Sequence, residues 1–225
     1  MVREGIFEFD KTLFMGGFMQ SKLKKWVYAS WRILSVVFLS IFVLWAGRFA
    51  VAADTYQIDR SHSSLGFAVK HLTVSTVNGE FTDYSGTIQF DKADPSMFAA
   101  EVNIKTASID TRQEKRDAHL KSTDFFDAEK FPVISFKSKK LAAQGNTDLL
   151  TGDLTMHGVT KEISIPLTIA GPVKGPMGGE VIGLSGETTI NRQDFGVSWN
   201  KTLDSGGLVV GDEVKVSVNI EAHKK

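Results

Sequence analysis

From Asp54 onward, apolar and polar positions alternate with a period of two. Leu65, Phe67 and Val69 alternate with smaller or polar residues, as do the pairs Ile88 and Phe90, and Val102 and Ile104. The pattern returns in Ile163, Ile165, Leu167 and Ile169, and again in Val214, Val216, Val218 and Ile220 set against Glu213, Lys215, Ser217, Asn219 and Glu221. Successive strand side chains point to opposite faces, so the pattern predicts strands with one apolar and one solvated face, as in antiparallel sheet. Asn78-Gly79, Gly145-Asn146, His157-Gly158 and Gly178-Gly179 are the expected turns, because Gly and Asn accept the backbone angles that tight hairpins need. Pro166 has no amide hydrogen to give a ladder, so its strand is expected to be an edge or to bulge there.

One segment breaks the alternation. Asp110 to Lys121 holds no β-branched run, and Thr111 and Glu114 have the spacing of a capping box, which predicts a short helix. Its apolar content is only Ala118 and Leu120, too little for a core stripe, and Phe125-Phe126 just beyond is expected to anchor it. On such a helix Arg112, Arg116 and His119 fall close to one face. Two readings of that face stand side by side: a solvated surface with an Asp117–Lys121 pair, or a basic site beside an open barrel end.

Residues 1–53 have a different character. They carry seven Lys and Arg against three Asp and Glu, which leaves 19 against 23 for the rest of a chain whose formal net charge is zero. A mildly acidic body is a poor match for a phosphate backbone, so nucleic-acid binding is set aside. Lys22, Lys24, Lys25 and Arg32 precede an apolar run from Ile33 to Gly47, and small residues follow at Ala50, Ala52 and Ala53. That order is a secretory signal peptide. As a helix, the run 33–47 rises about 22 Å, short of the roughly 30 Å hydrocarbon core, which disfavours an uncleaved membrane anchor. Met19 opens a Met-Gln-Ser-Lys-Leu-Lys-Lys start, so translation is expected to begin there. Residues 1–53 are thus a leader and 54–225 one domain, without internal repeat or linker. The absence of cysteine removes disulfides, thiolate metal sites and cysteine nucleophiles together.

About eight strands in such a domain either stack as a sandwich or close into a barrel able to hold side chains or one small ligand. The body contains nine Phe and one Trp and sets large residues beside Gly and Ala, as in Gly66-Phe67-Ala68 and Gly183-Leu184. A filled core accounts for these residues as well as a ligand cavity does. Several stretches then stand together in order: Tyr56-Gln-Ile-Asp-Arg-Ser-His-Ser63, Phe67-Ala-Val-Lys-His71, Gly79-Glu-Phe81, Ala107-Ser-Ile-Asp-Thr111, Arg116 to Asp127, Gly152 to Lys161 and Ile190-Asn-Arg-Gln-Asp-Phe-Gly196. Through them the chain resembles the YceI-like family over roughly 54 to 223. The resemblance implies a lipocalin-like, extended antiparallel β-barrel of the bacterial periplasm, whose apolar cavity holds a polyisoprenoid or other long-chain amphiphile. It brings no catalytic residues with it.

The aromatic content of the strands, taken with the resemblance, marks Phe67, Phe81, Phe90, Phe125, Phe126, Phe136 and Trp199 as ligand contacts, with Arg116 and His119 meeting a head group. His62, His71, His119 and His157 lie in no His-Glu-x-x-His arrangement, and no Gly-rich phosphate loop opens a helix. Asp59-Arg60-Ser61-His62-Ser63 offers Ser, His and Asp, but triads are recognised by geometry and not by proximity along the chain. The expectation is an all-β, non-enzymatic periplasmic carrier without metal or cofactor, touching the membrane surface in passing. A His-dependent or metal-dependent hydrolase on a barrel scaffold, and a filled barrel serving as a stress-related or assembly module, are the alternatives. Intact-mass analysis of secreted protein should give a chain starting at Ala53 or Asp54. A membrane-bound species that keeps residues 33–47 would establish the anchor instead.

Overall fold

The structure is a computed structural model that describes residues 53–144, 147–176, 178–202 and 208–225. The basic stretch and apolar run of the leader, Met19 and the Gly145-Asn146 step lie outside the described residues. Among the described residues ten strands follow one another: β1 (Asp54–His71), β2 (Ser75–Phe81), β3 (Tyr84–Phe90), β4 (Ala99–Lys105), β5 (Ile109–Asp110), β6 (Val133–Gln144), β7 (Thr147–Met156), β8 (Val159–Lys174), β9 (Glu180–Asn191) and β10 (Val210–Lys224). One α-helix among the described residues, α1 (Glu114–Lys121), lies between β5 and β6.

All pairings are antiparallel, and eight strands close on themselves in the order β1, β3, β4, β6, β7, β8, β9, β10 and back to β1. Strand β1 is long enough to serve two neighbours on its other side. Its first residues pair with β3, from Asp54–Phe90 to Gln57–Thr87, and its later ones with β2, from Leu65–Phe81 to His71–Ser75. β2 and the two-residue β5 thus extend the wall at one end, where α1 follows directly. The opposite end is packed shut by Tyr56, Phe90, Phe98, Ile182 and Ala222, all buried, with Phe98 edge-on to Phe90 at a centroid distance of 6.4 Å.

Several local expectations change. Asn78-Gly79 is not a turn but the middle of β2, with Gly79 directly opposite Phe67. The reason is the ring: a Cβ on Gly79 would overlap Phe67 Cζ and come within 2.8 Å of Thr111 Cγ2. The hairpin instead turns through residues 72–74, with Leu72 and Thr73 at φ of 53° and 62°. His157-Gly158 does turn β7 into β8, with φ of 52° and 77°, the sign that right-twisted two-residue hairpins require. Strand β8 is no sheet edge, since β7 and β9 flank it, and its irregularity lies between Ala170 and Val173. Pro166 stands one step before the ladder to β9 begins at Leu167–Gly186. On that flank its missing amide hydrogen breaks no pairing.

The helix is shorter than its sequence pattern predicts. Asp110 belongs to β5, Arg112 has a φ of 61°, and Gln113 caps the first turn by accepting a hydrogen bond from Arg116 N at 2.6 Å. Thr111 is buried and donates from both its amide (2.9 Å) and its hydroxyl (2.5 Å) to Asp117 Oδ1. That carboxylate outcompetes the helix as partner for Thr111, so no Thr111–Glu114 capping box forms. Asp117 is engaged there and not with Lys121, and Arg112 is off the helix, so of the expected basic face only Arg116 and His119 remain together.

The contact of Phe67 with Gly79 is testable. Gly79→Ala forces the ring or the strand to move, and overpacking of this kind costs about 1–3 kcal/mol, readable as a lower urea midpoint.

Candidate functional site

The alternation turns one face of every barrel strand inward, and the inward residues enclose a cavity of about 150 Å³. Every side chain lining it is apolar, including Leu65 and Phe67 of β1, Phe136 of β6 and Val218 of β10. On β10 the lining residues Val216, Val218 and Ile220 span four steps, about 13 Å along the strand, so the space is elongated. Glycine makes room for the rings. Phe67 lies over Gly79, and a Cβ on Gly152 would come within 2.5 Å of Phe136 Cζ.

A second cavity of about 200 Å³ lies at the end carrying β2 and α1. Its apolar lining includes Phe67, Leu120, Phe125 and Trp199, and its polar lining is Lys70, His71, Arg116 and His119, with no carboxylate among them. Phe67 forms part of both cavities. At this mouth three rings pack together: His119 is edge-on to Phe125 and to Trp199, each at 5.0 Å, and Phe125 and Trp199 are 5.1 Å apart. His119 Nε2 is held by Asp124 Oδ2 at 2.8 Å. Arg116 donates from Nε to Thr111 Oγ1 at 2.7 Å and from Nη2 to Thr111 O at 2.8 Å, which orients the guanidinium along the start of α1.

Trp199 is placed by a residue that the sequence reading did not single out. Arg192 is buried at 4% exposure and donates to the carbonyls of Val197 (2.6 Å), Trp199 (2.9 Å) and Gly211 (2.9 Å), and to Asp212 Oδ1 (3.1 Å). Burial presses its pKa below the ordinary arginine value, and Asp212 offsets part of that. Its one signal along the chain was its place in the Ile190-Asn-Arg-Gln-Asp-Phe-Gly196 stretch; strand alternation does not reach it, because Arg192 opens a 3-10 turn (Arg192–Phe195) just past the end of β9.

The expected ligand contacts therefore separate into groups. Phe67, Phe81 and Phe136 line the inner cavity, and Phe125, Trp199, Arg116 and His119 line the mouth together with Phe67. Phe126 is among the lining residues of neither cavity and packs edge-on behind Phe81 at 6.1 Å. Phe90 also lines neither, because it helps to close the far end. The Asp59-Ser61-His62 group lies on strand β1 in an arrangement that cannot relay a proton as a triad does. Asp59 Oδ2 (2.7 Å) and Ser61 Oγ (3.2 Å) both meet the same ring nitrogen of His62, Nδ1, whereas a triad needs its serine and its carboxylate on opposite nitrogens.

Known proteins share this architecture. The YceI-like domain model matches residues 56–222. A UPF0312 protein of Pseudomonas savastanoi pv. phaseolicola is 42% identical over 178 residues, covering 76% of this chain and 92% of that protein. The crystal structure of the Campylobacter jejuni YCEI protein is 38% identical, with a TM-score of 0.59 over 69% of this chain and 90% of that one. A polyisoprenoid binding domain from Saccharophagus degradans shares the fold at 18% identity, with a TM-score of 0.58 over 76% of this chain and 98% of that domain.

Loss of Arg192 should be severe. Arg192→Met leaves several buried carbonyls without a donor, and breaking such a buried charged network costs about 3–5 kcal/mol. Thermal unfolding should show the loss, and Trp199 fluorescence should shift to the red in whatever fraction stays folded. An unchanged emission would mean that Trp199 is held by other contacts.

Proposed function

The chain belongs to the YceI-like family, and from its two adjoining cavities we propose that it binds and carries a long-chain amphiphile, with the tail in the barrel and an anionic or polar head at the mouth. The carrying observation is Phe67, which walls an entirely apolar cavity on one side and a cavity with basic polar lining on the other. An amphiphile has the matching division of chemistry.

Energetics limit what such a carrier can select. Burying a methylene from water is worth roughly 0.8 kcal/mol, but the ligand's resting place is a bilayer as apolar as the barrel. Transfer of the tail is therefore close to neutral, and discrimination falls to cavity shape and head-group contacts. The elongation of the inner cavity, with lining residues spread about 13 Å along β10, favours a slim flexible chain over a fused-ring lipid. A polyisoprenoid or a fatty chain meets that description, and polyisoprenoid is the starting ligand for the test. The periplasm is the proposed compartment, on the order of basic, apolar and small residues in the leader. No reaction is assigned to the site: its lining offers hydrocarbon, the imidazoles of His71 and His119, the latter packed on Phe125 and Trp199, and the cations Lys70 and Arg116, which hold a ligand without attacking it.

Mass spectrometry of organic extracts from natively purified protein identifies the cargo. Titration with a long-chain isoprenyl phosphate and the matching uncharged alcohol then tests the geometry. Val102→Phe, which fills the inner cavity, should weaken both ligands. Arg116→Ala should weaken the phosphate by about 1.5–3 kcal/mol, the worth of a hydrogen bond to a charged group, and leave the alcohol nearly unchanged. Arg116→Lys should recover part of the loss. Equal losses for the two ligands on Arg116→Ala, or none, would return Arg116 to a purely structural role. Recovery of no amphiphile, with neither ligand binding the wild type, would favour the filled barrel.

A further inference from the structure

On the outer face of the barrel, Asp59 and Glu221 stand directly opposite one another across the β1–β10 seam. Facing like charges in a ladder repel, and such a pair calls for a cation between them. Immediately beyond, the register breaks: residues 60–63 of β1 are set against Ile220 alone before pairing resumes at Ser64–Asn219. Bulges of this kind re-aim side chains. Ser63 pins this one, its hydroxyl donating to Asp59 O at 2.6 Å and accepting from Glu221 N at 2.9 Å. His62 is thereby folded back over the two carboxylates, with Nδ1 2.7 Å from Asp59 Oδ2 and 3.8 Å from Glu221 Oε1. His223, two residues along the same face of β10, brings Nε2 to 3.5 Å from Asp59 Oδ2 and 3.1 Å from Glu221 Oε1.

We propose that Asp59, His62, Glu221 and His223 form a binding site for a divalent transition metal of the zinc class, which clips the seam that closes the barrel. The donor set is two imidazoles and two carboxylates, which suits zinc-class ions. Calcium and magnesium are hard cations that take oxygen ligands and water, so the two imidazoles, half of the donor set, favour a zinc-class ion over either. Bonds of about 2.0–2.1 Å in a tetrahedral site place neighbouring ligand atoms about 3.3 Å apart. The four His-to-carboxylate separations, 2.7, 3.8, 3.1 and 3.5 Å, lie on both sides of that value; the ligand atoms of Asp59, His62 and Glu221 fall within 4.8 Å of one another, and His223 joins them on the Asp59 and Glu221 side. The ligands come from the two ends of the domain, so one ion would tie the first strand to the last where the backbone ladder is interrupted.

The site lies outside the wall whose inner side carries Ile58 and Ile220, so it can be tested independently of any cavity ligand. The protein is treated with a chelator, dialysed and titrated calorimetrically with zinc, magnesium and calcium chlorides, and melted with and without each ion. One zinc per chain is expected, with a higher Tm, and no comparable effect of magnesium or calcium. Cobalt(II) in place of zinc should give the intense visible bands of a tetrahedral site. His62→Ala and Glu221→Gln should each raise the zinc Kd at least tenfold and abolish the Tm rise, while their metal-free melting stays close to wild type. His157→Asn, far along the chain in the β7–β8 turn, should leave zinc binding unchanged. Lack of saturable zinc binding would overturn the proposal. So would binding that survives both His62→Ala and Glu221→Gln with affinity and Tm shift intact.

Discussion

Pairing of β1 with β10 turns a sheet into a tube. Open, the two strands would present unpaired backbone edges, and the apolar face shared by all the strands would lie against water. Closed, each edge satisfies the other from Tyr56–Lys224 to His71–Val210, and the inward residues find only one another. The length of β1 is what permits this: it meets β10 along one flank and divides the other between β3 and β2. The same division differentiates the two ends, one sealed by Tyr56, Phe90 and Phe98, the other extended by β2, β5 and α1.

Space inside the tube depends on where bulk is withheld. Phe67 and Phe136 are accommodated because Gly79 and Gly152 carry no Cβ. The rings lie against strand backbone, and the barrel retains a narrow hydrocarbon-lined cavity instead of a solid core. An interior packed at native density is sensitive to single methyl groups, so these glycines are part of the cavity's design as much as its lining residues.

The mouth is built on polar contacts made elsewhere. Arg192 gathers the carbonyls of Val197, Trp199 and Gly211, and Thr111 receives Arg116 while giving its own protons to Asp117. Trp199, Phe125 and His119 then pack as one aromatic group beside the cations Lys70 and Arg116. Rigid placement of head-group contacts matters because tail transfer from a bilayer contributes little selectivity.

The strands bearing the period-two pattern were legible in the chain itself, as were the His157-Gly158 turn and the existence of a short helix, because these follow from neighbours a few residues apart. The closing register, the shape of the cavity and the company each side chain keeps were not. Gly79 reads locally as a turn residue, and only Phe67 across the ladder makes it a strand residue. Thr111 and Glu114 read as a capping box, and only the carboxylate of Asp117 draws Thr111 away. Phe90 reads like Phe67, yet one closes the barrel's end and the other lines its cavity. His62 and His223 show no metal-ligand spacing along the chain, since the seam that joins Asp59 to Glu221 exists only once the first and last strands have met. Alternation depends on the geometry of a single strand, whereas which residues face each other across a closed sheet depends on how the whole sheet is registered.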